Sequence, residues 1–351
     1  MLQLTRQPNL ALVNSNQEHD ATGIENIAPF RILSDEQLAA IFQRAIYHEV
    51  IASDAFQRLK DIQFLGAIDY VVRTGGSRSI HRHTRFQHSL RVAQLALQFA
   101  HLSKFNESEE KLLVIAALLH DIGHAPLSHS LEPTFKQRFE LTHHSASEKI
   151  IQGIVPIGHH LGNALRAHKI CPEKVLALIN SKSVERSVEA FRCPVNIDTI
   201  EAICRSYTYL SKICVNAQPA RIVLALVRKN EEDIKVLDDF WQLKDVVYNC
   251  LITSKMGIMA DYICRKYMEE NTNVWMGIYY HSETALRKKH PKLFDSLREL
   301  RISGNHRSLK EGVKISYQRR RFVIDKSVRI KTYEDMFGRY KQTRSSAVLE
   351  L

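Results

Sequence analysis

The stretch Leu112-Leu113-Val114-Ile115-Ala116-Ala117-Leu118-Leu119-His120-Asp121 decides how this chain is read. An unbroken apolar run of this length marks a segment buried on all sides, and it is too short to span a bilayer. It stops abruptly on two ionisable residues. A buried helix ending in His-Asp needs a reason, because unpaired charges beside a core are costly. A bound divalent cation supplies one. The chain continues as IGHAPLSHSLE, adding His124, His129 and Glu132 immediately downstream.

On the N-terminal side, His88, Val92, Leu95, Phe99 and Leu102 recur at three- and four-residue steps, which predicts an amphipathic helix from about Thr84 to Leu102. Before it, Tyr70 to Arg78 reads as a strand and turn broken by Gly75-Gly76. Another short helical stretch is expected at Phe56-Gln57-Arg58-Leu59, and a first helix from Ser34-Asp35-Glu36. Helices dominate to about residue 270, with residues 239–270 expected as one long helix or a broken pair. Beyond, Val313–Tyr317 and Arg321–Asp325 alternate apolar and polar residues, flanking Gln318-Arg319-Arg320, and read as a small basic β-hairpin or ribbon. The fold expected is mainly α: a helical bundle with a small basic C-terminal α/β appendage. Its parts are a polar lead-in over residues 1–36, a catalytic helical domain over 37–270, and a basic region over 271–351.

Composition bounds the partners. Apolar content of 44% and charged content of 25% suit a soluble globular protein, and no segment asks for a membrane. The N-terminus lacks the apolar core of a secretory signal, and the six cysteines contain no CxxC pair, so we expect reduced thiols and a cytoplasmic location. The net charge is +11, and residues 281–351 hold 18 Lys and Arg against 8 Asp and Glu. A basic tail of this kind suggests nucleic acid, nucleotide or another acidic surface as partner, while a solvated basic face is the plain alternative.

Imidazole and carboxylate together are the ligand types of octahedral divalent ions with open positions. His88, His120, Asp121 and Asp198, each in its own segment context, could converge on one ion. Manganese, magnesium or iron suit the set, and nickel or zinc could accompany a purified sample.

Five blocks carry a resemblance: FQRLKDIQFLG at 56–66, TRFQHS at 84–89, HDIGHAPLSHSLE at 120–132, HHSASEKII at 143–151 and VNIDTIEAICRS at 195–206. In this order they resemble the HD-domain deoxynucleoside triphosphate triphosphohydrolases, over about residues 45–215. The resemblance implies His88, His120, Asp121 and Asp198 as metal ligands, and Arg85 as a substrate phosphate contact. It implies His124, His129 and His143 along the phosphate channel, with His129 and Glu132 handling protons and His124 beside them. Phe64, Leu65 and Arg205 fall at substrate-binding positions. His81 and His83 are near enough to Arg85 to reach phosphate. A homo-oligomer is the family's usual state.

The chain departs from the family at the sugar. Phe64 stands where a relative's glutamine reads the 3′-hydroxyl, with Gln63 one step earlier, and Ala202 and Ser206 replace a tyrosine and an aspartate. His144 stands where many relatives carry glutamate. Loss of hydroxyl partners removes a large part of sugar discrimination, so deoxyribose selectivity is expected to weaken or change. Three readings stay open. The first is metal-dependent hydrolysis of (deoxy)nucleoside triphosphates to nucleoside and triphosphate. The second keeps the site for monophosphates, cyclic nucleotides or nucleic-acid ends. The third is a low-turnover sensor of nucleotide or nucleic acid bound through the basic tail.

Overall fold

The computed structural model describes residues 43–72, 83–210, 218–271, 276–305, 309 and 311–351. The described residues pack as one compact unit. The lead-in and the helix expected from Ser34 lie outside the described residues, as do Cys214 and His81.

Two helices form the centre. Helix α2 (Arg85–Leu102) and helix α3 (Glu107–Leu119) lie against each other, joined by a short connection. Both begin with a capping box, Thr84 with Gln87 and Asn106 with Glu109, which satisfies backbone amides that a helix start leaves free. In α3 every residue from Leu112 to Leu119 is buried, as the apolar run requires. Packed around this pair are α1 (Ala45–Ala52), α6 (Ile197–Tyr207) and α7 (Pro219–Arg228), with α4 (Glu132–Phe139) and α5 (His143–Ile151) following the His-Asp turn.

The expected break within residues 239–270 is a π-helical turn, Tyr248–Ile252, between α8 (Glu231–Val247) and α9 (Lys255–Glu270). Helix α9 joins α10 (Glu283–Lys289) and α11 (Pro291–Ser303) around a second apolar cluster, which takes in Tyr70, Leu127 and Phe135. Among the described residues no helix is long and apolar enough to cross a membrane.

The fold is thus mainly α with one two-stranded antiparallel sheet, β1 (Lys314–Ile324) and β2 (Tyr340–Glu350). The basic ribbon is present, but the two alternating segments fall along its first strand. Gln318-Arg319-Arg320 lie mid-strand, paired with Ser346, Ser345 and Arg344. They contain none of the glycine, asparagine or proline that a tight turn favours, and the alternation runs through them. The strand expected over Tyr70–Val72 is also replaced, by a helical turn, Ile68–Val71, whose four side chains are all buried. Continuous burial does not separate a short strand from a short helix.

The ribbon lies on α8. Trp241 donates its indole N–H to the Val323 carbonyl at 3.2 Å, and Asp245 accepts the Phe322 amide at 3.0 Å. Arg339, just before β2, grips both oxygens of Asp238 at 2.8 and 2.6 Å.

Candidate metal centre

Three helices deliver the expected ligands to one point. His88 lies one turn into α2, His120-Asp121 end α3, and Asp198 lies in the first turn of α6, whose start is capped by Asn196. His88 Nε2 is 3.1 Å from His120 Nε2, 3.1 Å from Asp198 Oδ1 and 3.4 Å from Asp121 Oδ2. His120 Nε2 is 3.5 Å from the Asp198 oxygen and 3.6 Å from that of Asp121. Neighbouring ligand atoms around an octahedral ion with bonds of about 2.1 Å lie about 3 Å apart. His88, His120 and Asp121 form a group able to hold a metal ion, and Asp198 Oδ1 borders it on the side of the two imidazoles.

The outer nitrogens settle which ring atoms face inward. His120 Nδ1 lies 2.8 Å from the Ala117 carbonyl, which only accepts, so Nδ1 carries the proton. His88 Nδ1 lies 2.5 Å from a Glu201 oxygen. Both rings therefore turn Nε2 toward each other and toward two carboxylates. Burial favours neutral imidazole at His120, yet Asp121 and Asp198 outweigh it and push the group up to about 9. Against the same burial penalty, Glu201 above all raises His88. Positive charge is required at this point.

Glu201 was not singled out from the sequence. Although burial opposes its ionisation, Arg205 and His88 hold it at about 2. Arg205 is committed to it, with Nε 2.9 Å from a Glu201 oxygen, and donates Nη1 to His83 Nδ1 at 3.0 Å. A carboxylate on the far nitrogen of a ligating histidine orients the ring and raises its basicity. The spacing signal was present: Glu201 is one turn beyond Asp198 on the same helix face.

Asp121 links this cluster to a second one. Burial disfavours its charge, but Arg85, His120 and His124 hold it well below the usual carboxylate range. Arg85 Nη1 donates to Asp121 Oδ2 at 2.6 Å, and Arg85 Nε donates to Ser128 Oγ at 3.3 Å. The other oxygen, Oδ1, is 3.1 Å from His124 Nε2. His124 stacks on His143 with ring centres 4.6 Å apart, and His129 closes the group at 4.7 Å from His124. Burial and the Arg85 charge keep His124 neutral.

Glu132 serves two rings. Its Oε2 lies 3.2 Å from His129 Nδ1, and its Oε1 lies 2.5 Å from His143 Nδ1 while accepting the His143 amide at 3.0 Å. Burial works against the carboxylate, but these hydrogen bonds take it well below its normal range. His143 was expected as a channel residue; it is also the closer partner of Glu132.

Phe64 is buried against the ligand shell, 4.8 Å from the His88 ring and beneath Arg85 at 5.0 Å. Leu65 donates its amide to Asp69 at 2.6 Å. On α8, which packs against α6, Lys244 is 8% exposed and lies 4.5 Å over the Trp241 ring. Burial pulls its ammonium down to about 8, with the Asp198 charge opposing and Arg320 adding to the pull. No motif marked Lys244 in the sequence.

Residues 85–189 match the family model described as HD domain. An uncharacterized protein of Mycoplasma pneumoniae, the MG461 homolog, is 35% identical over 142 residues, covering 38% of this chain and 31% of its own length. The uncharacterized protein YwfO of Bacillus subtilis is 25% identical over 242 residues, 67% of this chain and 48% of its own length. The deoxynucleoside triphosphate triphosphohydrolase SAMHD1 homolog of Dictyostelium discoideum is 32% identical over 119 residues, 30% of this chain and 22% of its own length. The matched stretches span less than half the length of each of these relatives. His88, His120 and Asp121 lie inside the matched span and Asp198 beyond it; residues 85–189 match the HD domain, in a chain that resembles the deoxynucleoside triphosphate triphosphohydrolases.

Proposed function

We propose that this protein is a metal-dependent phosphohydrolase that cleaves (deoxy)nucleoside triphosphates to nucleoside and inorganic triphosphate. One observation carries the reading: two histidine Nε2 atoms 3.1 Å apart face each other and two carboxylates, beside a buried arginine and a histidine chamber. A divalent cation suits the first group, and an anionic substrate matches the second.

His88, His120, Asp121 and Asp198 would hold the ion. A divalent ion there supplies Lewis acidity and charge neutralisation at a phosphate oxygen. Manganese, magnesium and iron all suit these ligands. Arg85 is fixed by Asp121 and Ser128 on one edge, leaving the rest of its guanidinium fork for phosphate oxygens. Lys244 adds a second positive group near Asp198. His129, oriented through Nδ1 by Glu132, keeps Nε2 for transferring a proton to the departing sugar oxygen. His124 and His143 complete the chamber wall.

The position of Phe64 favours a relaxed sugar preference. A buried phenyl ring packed on His88 offers no hydrogen bond to a 3′-hydroxyl, and Ala202 leaves no aromatic ring beneath the sugar, so discrimination by the sugar, the 2′ position included, is expected to weaken. The same loss favours a second reading, in which the site takes monophosphates, cyclic nucleotides or nucleic-acid ends.

The test is incubation of protein loaded with Mn²⁺, Mg²⁺ or Fe²⁺ with an equimolar mixture of eight dNTPs and NTPs, products being resolved by anion exchange with mass detection. Nucleoside plus tripolyphosphate is expected, and a control with both His120→Ala and Asp121→Ala yields none. Turnover by the control rejects the site. No consumption under any of the three metals rejects the triphosphate reading, and a strong dNTP preference rejects the sugar argument.

A further inference from the structure

The metal ligands lie on α2 and α6 and at the end of α3, and the chamber adds residues of α4 and α5, yet two loops that shape the chamber are tied together by a residue far along the chain. The first loop is Gln63–Gly66, which carries Phe64. The second is Ala125–Ser130, which carries His129. They touch so closely that a Cβ on Gly66, itself at φ +61°, would meet the Leu127 carbonyl oxygen at 2.3 Å. Leu127 adopts φ +59° and Ser128 φ +44°, a left-handed pair that side chains other than glycine seldom occupy.

Glu283, at the start of α10 and 1% exposed, lies against both loops. Its Oε2 accepts the Gln63 amide at 3.2 Å and the Leu127 amide at 3.0 Å. Its Oε1 accepts the Tyr70 hydroxyl, which in turn accepts from Arg287 Nη2 at 2.8 Å. From Leu127 the chain of contacts continues inward. Ser128 Oγ donates to the Gln63 carbonyl at 2.9 Å and accepts from Arg85 Nε at 3.3 Å.

We propose that Glu283 is a positioning residue for the triphosphate chamber: one carboxylate oxygen clamps the Gln63 and Leu127 amides, holds the left-handed turn at Leu127-Ser128, and thereby sets Arg85 and His129 relative to the metal ligands. The inference rests on the phosphohydrolase reading for its functional consequence, but the clamp itself is a statement about two amides. The candidate metal ligands themselves lie outside the two loops, which reach them only indirectly, through Phe64 packed on His88 and through Arg85 between Ser128 and Asp121. An amide in place of the carboxylate keeps an acceptor at Oε2 and turns a donor toward the Tyr70 oxygen, so glutamine should preserve the clamp. Methionine fills the volume and offers no acceptor.

The experiment compares wild type, Glu283→Met and Glu283→Gln by hydrogen–deuterium exchange and by calorimetric titration with Mn²⁺ and then inorganic tripolyphosphate. In wild type the Gln63 and Leu127 amides should exchange at least 100-fold more slowly than in an unstructured peptide. In Glu283→Met the peptides covering 63–66 and 125–130 should exchange at least 10-fold faster than in wild type, with α2 and α3 unchanged. Tripolyphosphate affinity should fall at least 10-fold while Mn²⁺ affinity stays within 3-fold, and Glu283→Gln should restore both. Unprotected amides in wild type, which needs no folded variant, overturn the proposal. So does a Glu283→Met protein whose loops stay protected, or one whose Mn²⁺ and tripolyphosphate affinities fall together. If wild type binds no tripolyphosphate, the triphosphate reading fails, and the exchange rates still decide the clamp.

Discussion

The Nδ1 atom of His88 lies 2.5 Å from a carboxylate oxygen of Glu201, on the side of the ring opposite the ligand cluster. Glu201 thereby fixes which nitrogen of His88 faces His120 and the two aspartates, and Arg205 fixes Glu201. Outer partners of this kind typically contribute 10- to 100-fold in metal affinity. Glu201→Ala should therefore weaken Mn²⁺ binding by roughly that factor in a calorimetric titration near neutral pH. Unchanged affinity would show that the His88 ring is held without its carboxylate.

Glu132 joins two imidazoles, so its removal should behave unlike removal of either ring alone. Glu132→Gln should lower turnover by about 100-fold or more, the usual scale for a displaced proton-transfer group. The effects of Glu132→Gln and His129→Ala should be strongly non-additive, because both act on one proton path. A double variant whose loss equals the product of the single losses would separate Glu132 from His129 and leave it as a partner of His143 alone.

Much of this centre was legible before any coordinates, for a physical reason. The run Leu112–Leu119 can only be buried, and His120-Asp121 at its end can only be explained by compensation nearby. Asp198 and His88 stood in recognisable blocks. What periodicity could not supply was the partner set from distant segments. Glu283 is more than 150 residues from Leu127, and its relevance depends on how α10 packs against the two loops. Lys244 reads as an ordinary helical lysine until the ribbon covers α8. The ribbon's extent was not legible, because alternation fixes that a strand exists and says little about where it ends.

Lys244 provides a test of the triphosphate site separate from the metal. Its ammonium sits over Trp241 at 4.5 Å and Phe322 at 5.1 Å, so the stem is part of the packing. Lys244→Met keeps that packing and removes the charge. Tripolyphosphate affinity of the Mn²⁺-loaded protein should fall about 10-fold, the scale of one charge-assisted contact, with Mn²⁺ affinity unaltered. Equal affinity in the variant would place the phosphates away from α8.

The last prediction concerns pH. Burial raises the Glu283 carboxyl to about 7, against hydrogen bonds from Tyr70 and the Leu127 and Gln63 amides that favour its charge, with Asp69 adding to the rise. The charged groups around it are Asp69, whose oxygens already accept from Leu65 and Tyr209, and Arg287, which reaches it only through Tyr70. Its unfolded value is near that of a free glutamate, about 4.3. The folded state thus holds the proton more tightly than the unfolded chain. That contribution is fully present below about pH 4.3 and is lost as pH rises through about 7, amounting to roughly 4 kcal/mol over the window. Glu283→Gln cannot ionise and lacks this term. Urea unfolding from pH 5 to pH 8 should therefore show wild type losing stability relative to Glu283→Gln as pH rises, with the two curves parallel above about pH 8. Curves that stay parallel from pH 5 upward would mean that Glu283 is already ionised at pH 5, which requires the two amides and Tyr70 to stabilise the carboxylate more than burial penalises it.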